Sequence, residues 1–457
     1  MIYILPAYFA LLLIISRMIK RKDTATAFFR GERQSPWYMV AFGMIGASIS
    51  GVSFVSVPGM VLHSGFTYLE VCAGFIAGYF VVAHVLLPIY YKHNVTTIYT
   101  YLRRVSDEAC KTGSIFFVIS KLLGAAAKFY VPCFIISRIA GCHFAVTVSI
   151  MLFLVWLYTR RGGIKTLVWT DTVQTLCMMV CLVMLLITIG SDPDTEPLLH
   201  TLRRTGYVWS TWGFALRFLS GVFIVIVMTG LDQDMMQKNL TCRTLRDAQK
   251  DMCTYGFAFL PVNALFMLLG VMLVGVYNSQ GTPLPETPDD LLTLYCLRTG
   301  GLTLTLFVLG VVATSFSTVD SAITALTTTV CVDFLSADTK GGKRPSVGLV
   351  HLLMTLLVAV CCMLFHHFNT TSLIDAVYTL VSYTYGPLLG LFAYAMTHKP
   401  RQRKRDGSAL VCVLSPLLCL ALNYVVTTYS DYRFGYEMLL INGLITYTGL
   451  WITGRKK

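Results

Sequence analysis

The chain has 457 residues, of which 55% are apolar and only 13% charged, about half the roughly 25% charged share of an ordinary soluble domain. With a mean hydropathy of +0.67 there are too few charges to cover soluble cores, which excludes a soluble enzyme and equally a disordered or fibrous chain. The net charge of +13 would suit nucleic acid if the basic residues formed one exposed face. They form short clusters between apolar runs, so no nucleic-acid partner is expected.

A bilayer core about 30 Å thick needs about 20 apolar residues of helix. Runs of that kind predict an all-α membrane protein with thirteen transmembrane helices, at 2–19, 37–62, 68–90, 113–138, 143–159, 165–190, 209–231, 252–277, 300–332, 346–366, 371–396, 408–427 and 436–453. Of the 36 Lys and Arg, 28 fall in one alternating set of loops, Lys238 among them, whereas the opposite loops hold only Arg203, Arg204, Arg298 and Arg433 beside acidic stretches. The excess of Lys and Arg marks the cytoplasmic side. It places the C-terminus in the cytoplasm and, with an odd number of spans, the N-terminus outside a cell (plasma or inner) membrane. The first span is expected to be a retained helix and not a signal peptide, because its basic residues follow the apolar run.

The 14 cysteines lack metal-type spacing and read as packing residues. His366 and His367 have no spaced partners, which argues against a metal or haem enzyme. There is no phosphate-binding loop, so active transport would have to draw on an ion gradient.

Polar or broken stretches inside spans are the best pointers to function, because they are expensive in hydrocarbon. In chain order, the first is Gly43 to Ser53, followed by Pro58. Its three glycines, Gly43, Gly46 and Gly51, and three serines, Ser48, Ser50 and Ser53, either interrupt the helix and free carbonyls for a cation or substrate, or provide a small-residue packing face. The run from Gly162 to Gln174 places Asp171 about 9 Å inside its span at 1.5 Å per residue, and a snorkelling interfacial Asp is the plainer reading. Gly230 to Lys238, with Asp232 and Asp234, reads either as functional or as a solvated helix end. Thr314, Ser317, Thr318 and Ser321 fall at i, i+3, i+4 and i+7, a hydroxyl stripe on one helix face. Asp320 flanks that stripe, and a carboxylate there costs roughly 2.5 to 3.5 kcal/mol. Further charges that stand out in the spans are Glu70, near the outer interface; Lys121 and Arg138, near enough to helix ends to snorkel; and the deeper Lys128, expected to pair with a carboxylate of the protein or of a substrate.

With these stretches in place the chain resembles the sodium:solute symporter family, the group of sodium-coupled sugar, proline, pantothenate, iodide and sialic acid carriers. The resemblance rests on Ala27 to Arg33 with Ser35-Pro36-Trp37, Leu87 to Tyr91 with Thr97 to Leu102, the Gly162 to Gln174 run, Asp232 to Gln237, and Tyr385 to Gly390. Each motif is weak alone; their order and spacing are specific. It implies a LeuT-type core of two inverted five-helix repeats, at 37–190 and 212–396. Residues 1–36 precede that core as a helix and cytoplasmic loop, 191–211 form an extracellular loop, and 397–457 add two C-terminal helices.

Carried over by position, the family's main sodium (Na+) site would use backbone oxygens of Gly46, Ile49 and Thr314 and the side chains of Ser317 and Thr318. A second sodium site, found in some members, would fall on Asp171, Ser317, Asp320 and Ser321. Substrate contacts would come from Ser48, Ser50, Ser53, Phe66, Glu70, Asp232 and Thr379, and a basic residue such as Lys128 would meet a substrate carboxylate. The expectation is a sodium-coupled secondary active symporter that imports a small organic solute (sugar, sialic acid or other organic anion) and functions as a monomer in the lipid bilayer. Two alternatives stay open: proton coupling through Asp171 and Asp320, since close carboxylates resist joint ionisation, and a membrane sensor that keeps the transporter fold.

Overall fold

A computed structural model describes residues 3–19, 25–160, 162–192, 196–204, 211–337, 346–368, 373–398, 407–430, 434 and 437–455. Among them the architecture is helical, with no β-strand beyond one isolated bridge between Ser35 and Cys242. The principal helices are α1 (Ile4–Met18), α2 (Trp37–Ser48), α3 (Gly51–Gly59), α4 (Thr67–Lys92), α5 (Asp107–Ala140), α6 (Phe144–Thr159), α7 (Gly163–Gly190) and α8 (Thr211–Met228). They continue with α9 (Gln233–Asn239), α10 (Leu245–Ser279), α11 (Gly301–Phe334), α12 (Val347–Phe368), α13 (Leu373–Thr397), α14 (Ser408–Tyr429) and α15 (Glu437–Arg455).

Helix occupies every expected span. Among the described residues, seven helices are long and apolar enough to cross a bilayer alone, and up to nine spans result if each of two bent pairs counts as one. The chain is therefore a multi-pass membrane protein, though these nine are fewer than the thirteen crossings expected.

The bent pairs position everything that follows. Helix α2 ends at Ser48 because Ile49 (φ −82°, ψ 93°) and Ser50 (ψ 167°) are extended, and α3 restarts with Ser50 as its cap, its Oγ accepting the Ser53 N–H at 3.3 Å. The two halves meet at 66°. A helix leaves its last four carbonyls without intrahelical donors. Here the Ile45 carbonyl is recovered by the Ile49 N–H at 3.1 Å, while among the described residues no backbone N–H donates to the carbonyls of Gly46, Ala47 or Ile49. The second pair, α8 and α9, bends by 76° at Asp232, whose carboxylate caps α9 by accepting the Asp234 N–H at 2.8 Å.

Helix α11 is the centre of the molecule. Every residue from Gly310 to Thr329 is buried, so it is covered on all sides, as a core helix must be. Helix α7 packs along it on one side and along α2 on the other, and α5 and α9 also contact it. Glycine is required where α2 meets α7, because a Cβ on Gly46 would overlap Thr175 Oγ1.

Candidate functional site

Three polar groups lie against α11 and the two breaks. The first is built of neutral oxygens. Thr318 Oγ1 donates to its own helix at Thr314 O (3.0 Å) and reaches Ala47 O, in the break of α2, at 3.3 Å. Thr318 thus joins the hydroxyl stripe to the broken helix at Ala47, which lies between Gly46 and Ile49, while Gly46 packs on Thr175 of α7 and Ser317 Oγ turns to Asp171. Such a set of carbonyl and hydroxyl oxygens, with no fixed charge of its own, is suited to a monovalent hard cation at a helix interruption.

The second group is charged and fully buried. Asp171 (α7), Asp320 (α11) and Lys238 (α9) converge, with Lys238 Nζ 2.8 Å from Asp171 Oδ2 and both side chains at most 2% exposed. Ser317 Oγ donates to Asp171 Oδ1 at 2.6 Å, and Tyr158 OH donates to Asp320 Oδ2 at 2.6 Å. Ser321 Oγ lies 3.3 Å from Asp320 Oδ1 and 3.5 Å from Asp171 Oδ2. The four residues expected at a second cation site do come together. Asp171 is not a snorkelling interfacial residue, and Lys238 is not the loop charge it was counted as.

The third group lines a cavity of about 190 Å³ between α2, α4, α5, α8, α10 and α11, smaller than the roughly 300 to 1,000 Å³ of drug-sized ligand sites. Of the expected substrate contacts, Ser48, Lys128 and Asp232 line it. Ser48 Oγ donates to Met44 O (2.8 Å) and hydrogen-bonds to Tyr255 OH, which also accepts Tyr79 OH at 2.7 Å. Asp232 is buried and not a solvated end: it accepts Tyr385 OH at 2.7 Å and pairs with Lys121 Nζ at 3.0 Å. Lys121 also pairs with Asp234 at 2.7 Å, so its ammonium points into the cavity instead of snorkelling. Lys128 lines the same cavity and makes no salt bridge or hydrogen bond among the described residues.

The remaining expected contacts lie elsewhere. Ser50 is spent on capping α3, and it and Ser53 are hydrogen-bonded to each other at 3.3 Å. Phe66 and Glu70 line a separate pocket with Phe214 and Leu260. Glu70 is buried there and paired with Arg217 of α8, which is why it is not an exposed interfacial carboxylate. The backbone of Thr379 is helical within α13, but its side chain lies outside the described residues. Lys121, Tyr158, Arg217 and Lys238 were not expected at these sites. The only local hint for Lys238 is its i, i+4 spacing from Asp234 on the Gln233 to Asn239 helix.

Residues 28–192 match the model of the sodium:solute symporter family, and this stretch contains the broken α2 and Asp171. Over that stretch the chain is similar to the sodium:solute symporter family. The sodium-dependent multivitamin transporter of Oryctolagus cuniculus is 23% identical over 411 residues, covering 82% of this chain. The chain spans only 62% of that relative's length. The sodium/sialic acid symporter SiaT of Proteus mirabilis is 21% identical over 439 residues, 91% of this chain and 87% of the symporter. A solved structure described as the substrate-bound outward-open state of a Na+-coupled sialic acid symporter superposes with a TM-score of 0.85 over 99% of this chain and 97% of its own, at 18% identity. That likeness establishes the LeuT-type fold for this chain.

Proposed function

We propose that this chain is a sodium-coupled secondary active symporter that imports a small organic solute by alternating access. One observation carries the reading: the interface of the hydroxyl stripe with the α2 break, where Thr318 Oγ1 meets Ala47 O at 3.3 Å beside carbonyls that no backbone N–H satisfies. A sodium ion there would be held by Gly46 and Ile49 carbonyls, the Thr314 carbonyl, and the hydroxyls of Ser317 and Thr318. The ion joins α2 to α11, so its binding favours one arrangement of the broken helix. Any solute that prefers the same arrangement binds more tightly when sodium is present, and by linkage tightens sodium equally.

The solute occupies the cavity beside that break. Among the described residues Lys128 pairs with no carboxylate, and Lys121 is already held by Asp232 and Asp234. An ammonium half-buried in a cavity and left unpaired is costly, and a solute carboxylate satisfies it. An organic anion of modest size, in the class of a sialic acid or a monocarboxylate, suits this cavity better than a neutral sugar. In this reading the two five-helix repeats at 37–190 and 212–396 each open with a broken helix. The monomer transports, and it sits in the cell membrane with its N-terminus outside and its C-terminus cytoplasmic, the side its loop Lys and Arg favour. The sodium-coupled relatives weigh against proton coupling through Asp171 and Asp320, and against a sensor.

The test is uptake into proteoliposomes of labelled sialic acids, monocarboxylates and sugars under inward sodium or potassium gradients. Accumulation of a carboxylated solute in sodium alone is expected, with loss in the Ser317→Ala, Thr318→Ala double variant. Equal uptake in potassium would sink the sodium reading, and uptake of neutral sugars only would sink the anion.

A further inference from the structure

A second sodium site, found in some members of the family that the chain resembles, would fall among Asp171, Ser317, Asp320 and Ser321. The residues are assembled, but a cation of the chain's own stands among them. Lys238 Nζ lies 2.8 Å from Asp171 Oδ2, and each remaining carboxylate oxygen is engaged as well. Asp171 Oδ1 accepts from Ser317, Asp320 Oδ2 accepts from Tyr158, and Asp320 Oδ1 is 3.3 Å from Ser321 Oγ. Lys238 makes no aligned hydrogen bond to its partner, although it is buried. The attraction is therefore charge on charge, the kind a bare monovalent ion would also supply.

A lysine ammonium is a compact point charge, and one such charge for two neighbouring carboxylates is the same balance that one sodium would give. A sodium placed among these oxygens would stand within a few ångströms of the ammonium. Like charges in a water-poor interior repel several times more strongly than in water. The second sodium site and the Lys238 ion pair exclude each other.

We infer that Lys238 is a tethered cation standing in for a second sodium, so that this protein binds one sodium per chain, at the neutral-oxygen site, where some members of the family it resembles hold two. Because Lys238 lies on α9, the tether links the second broken helix to α7 and α11 permanently, whereas a free ion would make that link only when bound. This inference rests on the sodium-coupled reading above. It adds a selectivity role for a residue that touches neither the solute nor the main sodium oxygens.

Equilibrium binding of 22Na+ to the purified full-length protein tests it. The expected result is one saturable site per chain for the wild type, two for Lys238→Met, and one again for Lys238→Arg, which restores the charge. Two sites in the wild type, or one in Lys238→Met, would overturn the inference while leaving sodium coupling intact. No site in the wild type would instead overturn sodium coupling itself. Should Lys238→Met not fold, Thr318→Ala decides: loss of all sodium binding supports the tether, and a residual site abolished by adding Ser321→Ala overturns it.

Discussion

The two polar regions on either side of Ser317 solve the problem of charge in a membrane in opposite ways. At the α2 break, the oxygens of Gly46, Ile49, Thr314 and Thr318 carry no net charge, and among the described residues no backbone N–H donates to the carbonyls of Gly46 and Ile49. One helical turn further along α11, an ammonium of the chain's own stands against two carboxylates, and each carboxylate oxygen already has a partner. A neutral, under-satisfied site gains by taking up an ion and loses little by releasing it, which suits a coupling ion that must come and go. A cluster that carries its own cation and has every carboxylate oxygen engaged gains little from a further ion and loses much if one partner is removed, which suits a structural link.

Removing oxygens from the neutral region should give the largest effect. Ser317→Ala with Thr318→Ala deletes two hydroxyls, each worth about 1 to 3 kcal/mol where buried. Sodium affinity is expected to fall on the order of 100-fold or more, read from the sodium dependence of proteoliposome uptake. Thermal unfolding should change far less.

The charged region should answer with stability. Breaking a buried pair by removing one partner costs about 3 to 5 kcal/mol, so Lys238→Met is expected to lower the unfolding temperature markedly. Sodium should restore part of that loss, since it can take the vacated place. A melting curve for Lys238→Met that ignores sodium would break the contrast between the regions.

The cavity lysines sharpen the same contrast on a smaller scale. Lys128→Gln removes an unpaired cation and is expected to weaken binding of a carboxylated solute by roughly 10-fold or more, as for the loss of a hydrogen bond to a charged group, with stability unchanged or raised. Lys121→Gln leaves Asp232 and Asp234 facing each other without their cation, and should lower stability first. Binding isotherms beside melting curves separate the two.

Glu70→Gln should give the smallest effect. Arg217, its partner, is about one third exposed, and pairs open to water are worth about 0 to 1 kcal/mol. A large loss of uptake in that variant would mean that the outer pocket belongs to the solute path after all.

Much of the site was legible because local patterns carry it. Three glycines and three serines in eleven residues predict the break of α2, and the i, i+3, i+4, i+7 hydroxyls predict the stripe of α11. Asp171 and Asp320 stood out because a mid-span carboxylate needs a reason. What was not legible is pairing across long separations. Lys238 follows a run that reads equally as a helix boundary, and its place among cytoplasmic charges was a fair reading of position alone. Lys121 sits close enough to a helix end to snorkel, yet the bend at Asp232 puts two carboxylates within its reach. Phe66 and Glu70 were grouped with the substrate by resemblance, but the packing of α4 against α8 gives Glu70 a partner in Arg217 and a pocket of its own.

Composition and hydropathy by themselves determined that this chain lives in a bilayer, and its charged loops point to how it is oriented there. The sequence also marked where a break of α2 could fall, as one of two readings, since extended backbone at Ile49 and Ser50 suits residues that favour caps and turns over helix interiors. Only the tertiary structure decided which charges meet. Ion pairs in a low-dielectric interior depend on separations of a few ångströms, and those separations are set by how α5, α7, α9 and α11 pack, not by any spacing along the chain.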